Sequence, residues 1–308
     1  MPLADNTKGA LLMMGSMTAF TVNDAFMKGL SAYLPLAQAI FLRGVVTTVL
    51  LVALGLGLGQ LRLRIGRGDA GLLAIRTLAE IGAVFCFLTA VFNMPLANAT
   101  AILQMLPLAV TLAGALVLGE RVGWRRLTAI AVGFLGVLLI VRPGTEGFTV
   151  YSLYVLGAVA SVTIRDIAVR RMTADLPSLT VAVVAAAGVM VTSGIVSAFQ
   201  PWQPVGTQAV ALLAGAALCI LLAYVLSVAT MRVGDISAVA PFRYTGLLVA
   251  LTLGFVVFGE WPGALTLAGA ALVVGSGVFT LLRERRIAHT EPRPTHAPAR
   301  VDTPRDSL

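Results

Sequence analysis

The chemistry open to this chain sits in charged residues that interrupt apolar sequence. Asp24 with Lys28, and Arg76 with Glu80, are spaced i, i+4, so each acid and base share one face of a helix and can neutralise one another where water is scarce. Asp166 has Arg170 at the same spacing and Arg165 directly before it. Consecutive helical residues point in different directions, so Arg165 and Asp166 are each expected to find a partner elsewhere. Arg43 and Arg243 have no acid within a turn; each must meet one across the fold or face a water-filled cavity. A charge at mid-membrane costs about 2.5–3.5 kcal/mol or more unless it is paired or hydrated, so residues of this kind mark a solute or ion pathway.

A second group supplies shape as well as charge. In Ala240-Pro241-Phe242-Arg243-Tyr244, Pro241 removes a backbone hydrogen bond and is expected to kink the helix beside a cation and an aromatic ring. Arg243 would hold an anionic or carbonyl group, and Tyr244 and Tyr224 would stack on a ring or thioether surface. Asn98 and Gln104, followed by Pro107, form the counterpart in an earlier segment, with Pro107 a second expected kink. Glu80 and Asp24 are the carboxylates able to take an amine or a coupled proton. Asp24–Lys28 also has a purely structural reading, with Lys28 reaching to the interface.

Enzyme chemistry is not expected. The two histidines, His289 and His296, fall in a polar tail, and Cys86 and Cys219 stand alone in apolar runs. No metal spacing, nucleophile–base pair or Gly-rich phosphate loop is present, so neither a metal, a cofactor nor ATP hydrolysis by this chain is implied. The formal charge of +8 comes from bases dispersed over short loops, which is a topology signal and not a nucleic-acid patch.

The elements that must position these residues are membrane spans. With 58% hydrophobic and 12% charged residues, the chain has half the charge of a soluble domain at about 25%. Cutting at charge clusters and Pro/Gly breaks predicts ten helices of an all-α membrane protein: Ala10–Leu30, Leu36–Leu58, Ala70–Phe92, Leu96–Leu118, Leu127–Val141, Tyr151–Val169, Ser178–Phe199, Thr207–Met231, Ile236–Phe258 and Gly263–Leu282. The fifth is short and has an alternative start near Trp124. Lys8, Arg62, Arg64, Arg67, Arg121, Arg125, Arg126, Arg170, Arg171, Arg232, Arg283, Arg285 and Arg286 fall on one side, and Arg142 alone on the other. Both termini are therefore expected in the cytoplasm. Pro292, Pro294, Pro298 and Pro304, mixed with charges, predict a disordered tail over 284–308.

The chain also repeats itself. Thr21 to Lys28 recurs as Thr163 to Arg170, Gly15 matches Gly157, and Leu34-Pro35 matches Leu176-Pro177 in the same register. Gly119-Glu120 likewise matches Gly259-Glu260. Five spans per half is an odd number, so residues 9–142 and 151–283 are expected to enter the membrane from opposite sides. Inverted halves of this kind rock about a site near the midplane.

Two five-span halves, each with a Gly-Glu after its fourth span, and Pro95-Leu-Ala-Asn-Ala-Thr-Ala-Ile-Leu-Gln-Met-Leu-Pro-Leu108 entering span four, resemble the drug/metabolite transporter superfamily in its EamA-type ten-span branch. The resemblance runs from Gly9 to Arg283. Asn23-Asp24 with Lys28, Phe41-Leu42-Arg43, Asp166-Ile167 and Ala240 to Tyr244 are similar to bacterial carriers taking up riboflavin or S-adenosylmethionine; others on the scaffold export amino acids and related metabolites. It implies an inner-membrane secondary carrier of a small polar organic metabolite, working by alternating access around a central cavity. The expected partners are the bilayer and a small-molecule substrate, with H+ coupling and a homodimer as further options and no nucleic acid.

Overall fold

The computed structural model describes residues 3–59, 61, 66–119, 123–145, 148–172, 177–233 and 239–290. Among them every regular element is helical: α1 (Leu3–Leu30), α2 (Leu36–Gly57), α3 (Arg67–Asn93), α4 (Leu96–Leu103), α5 (Leu106–Leu118), α6 (Trp124–Val141), α7 (Val150–Arg171), α8 (Ser178–Ala198) and α9 (Thr207–Val233), then a 3-10 turn (Ala240–Tyr244), α10 (Thr245–Phe258) and α11 (Ala264–Thr290). Glu120, Arg62, Arg64, Arg121, Ile236, Ser237 and the tail from residue 291 lie outside the described residues. Nine described segments, counting α4 with α5 and the 3-10 turn with α10, are long and apolar enough to cross a membrane. The remaining helix, α1, has 28 residues and carries Lys8, Asp24 and Lys28.

Sequence punctuation sets most of the ends. Pro35, Pro95 and Pro177 each stand as the N-cap of the helix that follows, where a missing N–H costs nothing. Helices α5 and α10 stop at the matched glycines Gly119 (φ 69°) and Gly259 (φ 65°), whose left-handed backbone is the usual helix terminator. Two expectations need correction. Helix α1 starts at Leu3, seven positions before Ala10, because nothing in Leu3–Gly9 breaks a helix. Spans four and nine are interrupted helices where continuous kinked ones were expected, while α6 takes the alternative start expected near Trp124.

The packing repeats in a form that exposes the duplication. Helix α1 lies along α9, and α3 lies along α7; α3 touches α8, and α2 touches α9. Helix α1 rests on the 3-10 turn and α10, and α7 rests on α4 and α5. The pairs α2–α8 and α6–α11 map onto themselves. Exchanging α1 with α7, α2 with α8, α3 with α9, α4–α5 with the 3-10 turn and α10, and α6 with α11 returns each of these contacts. An exchange that works both ways is a pseudo-two-fold, and it places the interior between the halves.

Apolar contacts hold this arrangement in two clusters. One gathers Val91, Leu96, Ile102, Val155, Leu247 and Val273 from both halves; the other gathers Met27, Leu30, Ile40, Leu88, Val189 and Ala216. Outward residues such as Leu116 (78% exposed) and Val256 (72%) are apolar as well, which is the surface a lipid solvent favours. Close approach relies on small residues. A Cβ on Gly136 would fall 2.7 Å from the Gly269 carbonyl, so α6 and α11 meet backbone to backbone.

Candidate functional site

The two interrupted spans bring polar residues against α1. Pro107 has no N–H, and its ring excludes the carbonyl four residues earlier, that of Leu103, where α4 stops. Gln104 caps α4 and Asn98 lies within it. Pro241 occupies the first turn of the 3-10 segment that carries Arg243 and Tyr244. Helix α1 contacts α4, the 3-10 turn and α10, and the Thr21 hydroxyl donates to the Gly246 carbonyl at 3.3 Å. Gln104 Nε2 lies beside the same glycine.

Sorting the site residues by whether protein satisfies them separates scaffold from opening. Glu80 Oε2 is gripped by Arg76 Nη2 at 3.7 Å and by Arg165 Nη1 at 3.2 Å. Arg165 also reaches Asp166 Oδ1 at 2.9 Å. Two bases against two acids form a chain that is neutral and ties α3 to α7. Arg43 Nη1 donates to Asn23 Oδ1 at 3.2 Å, and Asn23 Nδ2 donates to Asp24 Oδ1 at 3.0 Å, so a buried amide bridges a cation and an anion. At the end of α1, Lys28 Nζ meets Glu260 Oε1 at 2.9 Å.

What remains is open. Arg243 makes no hydrogen bond or ion pair among the described residues, and its side chain is exposed although Asp166, Arg165 and Tyr244 lie within electrostatic range. The Tyr224 hydroxyl makes no hydrogen bond among the described residues; its ring stands edge-on to Phe20 at 5.7 Å, within electrostatic range of Glu80, Arg165, Arg76 and Arg43. Asn98 Oδ1 and the Tyr244 hydroxyl are buried without a partner among the described residues. Unsatisfied polar atoms cost about 1–3 kcal/mol each when left dry, so each favours contact with water or a solute.

Three expectations from spacing are overturned here. Asp24 and Lys28 do not pair: Lys28 near the end of α1 reaches the α3–α4 turn and Glu260, whereas Asp24 takes Asn23. Arg165 and Asp166 do pair, because the long guanidinium folds back over its neighbour. Asp166 is thus held by Arg165, where spacing pointed to Arg170. A Cβ on Gly277 would collide with the Tyr244 hydroxyl, so this glycine is the notch that seats Tyr244. Glu260, Arg165 and Asn23 were absent from the expected site, and for Glu260 the repeated Gly-Glu was the available signal.

Comparison with known proteins gives the arrangement a family. The model of the EamA-like transporter family matches residues 7–142 and 149–282. The chain is 30% identical over 275 residues to the pseudopaline exporter CntI of Pseudomonas aeruginosa, covering 86% of this chain and 93% of that protein. It is 24% identical over 276 residues to an S-adenosylmethionine uptake transporter of Rickettsia prowazekii (88% and 91% covered), and 30% identical over 217 residues to a riboflavin transporter of Vibrio cholerae (70% and 72% covered). A crystal structure 22% identical superposes with a TM-score of 0.63 over 91% of this chain and 99% of its own, which supports the fold alone. With matched halves, apolar helices and polar groups held between them, this multi-pass membrane transporter, not an enzyme, belongs to the EamA-like transporter family.

Proposed function

We propose that the chain is a secondary carrier of the bacterial inner membrane, with ten spans, both termini in the cytoplasm and two inverted halves, 9–142 and 151–283, that rock to expose one site alternately. Helix α1 is the tenth span in this reading. Within it Asp24 and Lys28 bind protein partners and not lipid, so they lower its hydropathy without removing it from the membrane. Lys8, Arg125, Arg126, Arg170 and Arg171 on one side against Arg142 on the other support the orientation.

The carried solute is a small polar metabolite with an anionic group, and the observation behind this is Arg243, an exposed cation that forms no ion pair among the described residues, beside a self-neutralised chain of four charges. A carboxylate or phosphate on the solute would complete the charge balance by charge-assisted hydrogen bonds. Tyr224 and Phe20 offer an aromatic wall, and Gln104, Asn98 and Tyr244 offer uncharged hydrogen bonds. Asp24, whose one described hydrogen-bond partner is Asn23, is the acid free to take an amine or a coupled proton. Glu80, held between two guanidinium groups, suits a structural role better than proton exchange.

A solute bearing both an amine and a carboxylate fits this set better than neutral riboflavin. S-adenosylmethionine uptake and export of an amino-acid-like metabolite are the two readings it favours, and the relatives include one named for each direction of transport. The test is movement of labelled S-adenosylmethionine, riboflavin and a panel of amino acids into proteoliposomes, with and without an inward proton gradient. Saturable uptake of a carboxylate-bearing solute supports the reading; saturable uptake of riboflavin alone refutes it. Loss of the gradient response in Asp24→Asn would assign coupling to that residue.

A further inference from the structure

We propose that Lys28 and Glu260 form a latch between the two halves that shuts one end of the carrier and parts in each transport cycle. The inference rests on the alternating-access reading above and adds the contact on which it turns. Lys28, one helical turn beyond Asp24, sits where α1 ends. Its ammonium has three protons and three acceptors: Glu260 Oε1 at 2.9 Å, the Met94 carbonyl at 2.7 Å and the Val91 carbonyl at 3.4 Å. The Phe258 ring closes over it, 5.4 Å from the ring centroid.

Glu260 is as fully engaged. Its Oε2 accepts the Leu96 amide at 3.1 Å, an N–H that the start of α4 leaves without a helical partner. Its own amide donates to the Gly254 carbonyl at 2.8 Å across the turn that Gly259 makes. One carboxylate therefore joins the end of α10 to the start of α4 and to the end of α1. These are the far ends of both interrupted spans. Lys28, Val91, Met94 and Leu96 belong to the first half, and Phe258 and Glu260 to the second.

Two features make this a latch and not a permanent strut. Lys28 and Glu260 keep 10% and 24% of their side-chain surface accessible, so water can take over both charges when they separate. A second base bridges the halves at the end of α7: Arg171, next to the Arg170 that matches Lys28, donates to the Val117 carbonyl at the end of α5 at 3.2 Å. A base at the end of each half's first helix thus grips the end of the other half's interrupted span. Both contacts are made in this structure, and rocking about a pseudo-two-fold would part them in turn.

The experiment is a distance measurement that needs no substrate, so its failure is separable from failure of the carrier reading. Spin labels go on Tyr33→Cys and Trp261→Cys, two exposed positions at this end, one in each half, in full-length protein with Cys86→Ala and Cys219→Ala, reconstituted in lipid. The expected result is that Glu260→Gln raises the longer-distance population about tenfold, as loss of a partly buried ion pair permits, and that Lys28→Arg, which keeps the pair, leaves it near wild type. A narrow single distance in the parent that Glu260→Gln does not alter overturns the latch. Failure of Glu260→Gln to fold overturns it as well, because a contact that parts in every cycle cannot be what holds the fold together.

Discussion

Gly277→Ala is the substitution whose outcome the geometry fixes most sharply. Gly to Ala inside a helix ordinarily stabilises by about 1 kcal/mol, so propensity alone forecasts a tougher protein. Here the new methyl would collide with the Tyr244 hydroxyl and lie 2.6 Å from the ring carbon that bears it. Tyr244 is 6% exposed, so its ring has no free space to rotate into. Overpacking of this kind costs about 1–3 kcal/mol, and it exceeds the helical gain once the ring or the 3-10 turn shifts. Because Arg243 is the neighbouring residue on that short turn, part of the cost appears as weaker solute affinity, from about fivefold to about 150-fold if about 1–3 kcal/mol is expressed there. The assay pairs thermal unfolding in detergent with the concentration dependence of uptake in proteoliposomes. Tyr244→Ala combined with Gly277→Ala should recover stability and not transport, a coupling that reports direct contact. A Gly277→Ala carrier that melts higher and transports with unchanged constants would refute the seating of Tyr244.

Other substitutions separate scaffold from site. Glu80→Gln leaves Arg76 and Arg165 facing each other without their shared anion, so stability should fall by about 3–5 kcal/mol, read as a lower melting temperature or loss of folded protein. Asp24→Asn keeps the Asn23 contact; it should melt within a degree or two of wild type while losing solute affinity or the proton-gradient response, and an unaltered carrier would remove Asp24 from the site. Gln38, buried in α2, binds both the amide and the carbonyl of Gln203, so Gln38→Ala should cost about 1–3 kcal/mol in stability and leave the transport constants unchanged.

Much of this could be read from the chain because the signals were local or repeated. Apolar runs and proline punctuation located the helices, and the recurrence of Thr21–Lys28 as Thr163–Arg170 announced the duplication that the packing reproduces. Pro107 and Pro241 marked the segments that break, since proline acts on the residues just before it. Long-range pairing was not legible. The i, i+4 rule offered Asp24 to Lys28, but a base at the end of a helix reaches whatever the fold sets beside that end, and Glu260 stands 232 positions later. Arg165 escaped the same reasoning for the opposite reason: adjacency on a helix separates Cβ directions, and a long guanidinium overcomes that separation. Glycine spacing could flag close contact in α11 but not that Gly277 meets a tyrosine from another element.

The central claim is that Arg243 receives an anionic group of the carried solute. The direct measurement is uptake of that solute in proteoliposomes by wild-type and Arg243→Ala carriers, in competition with the free acid and with its methyl ester. The account predicts that the free acid competes at least about tenfold better than the ester in the wild type, the difference a charged hydrogen bond supplies, and that Arg243→Ala folds, transports poorly and no longer tells acid from ester. Equal competition by acid and ester in the wild type, or an Arg243→Ala carrier with wild-type uptake and discrimination, would contradict it.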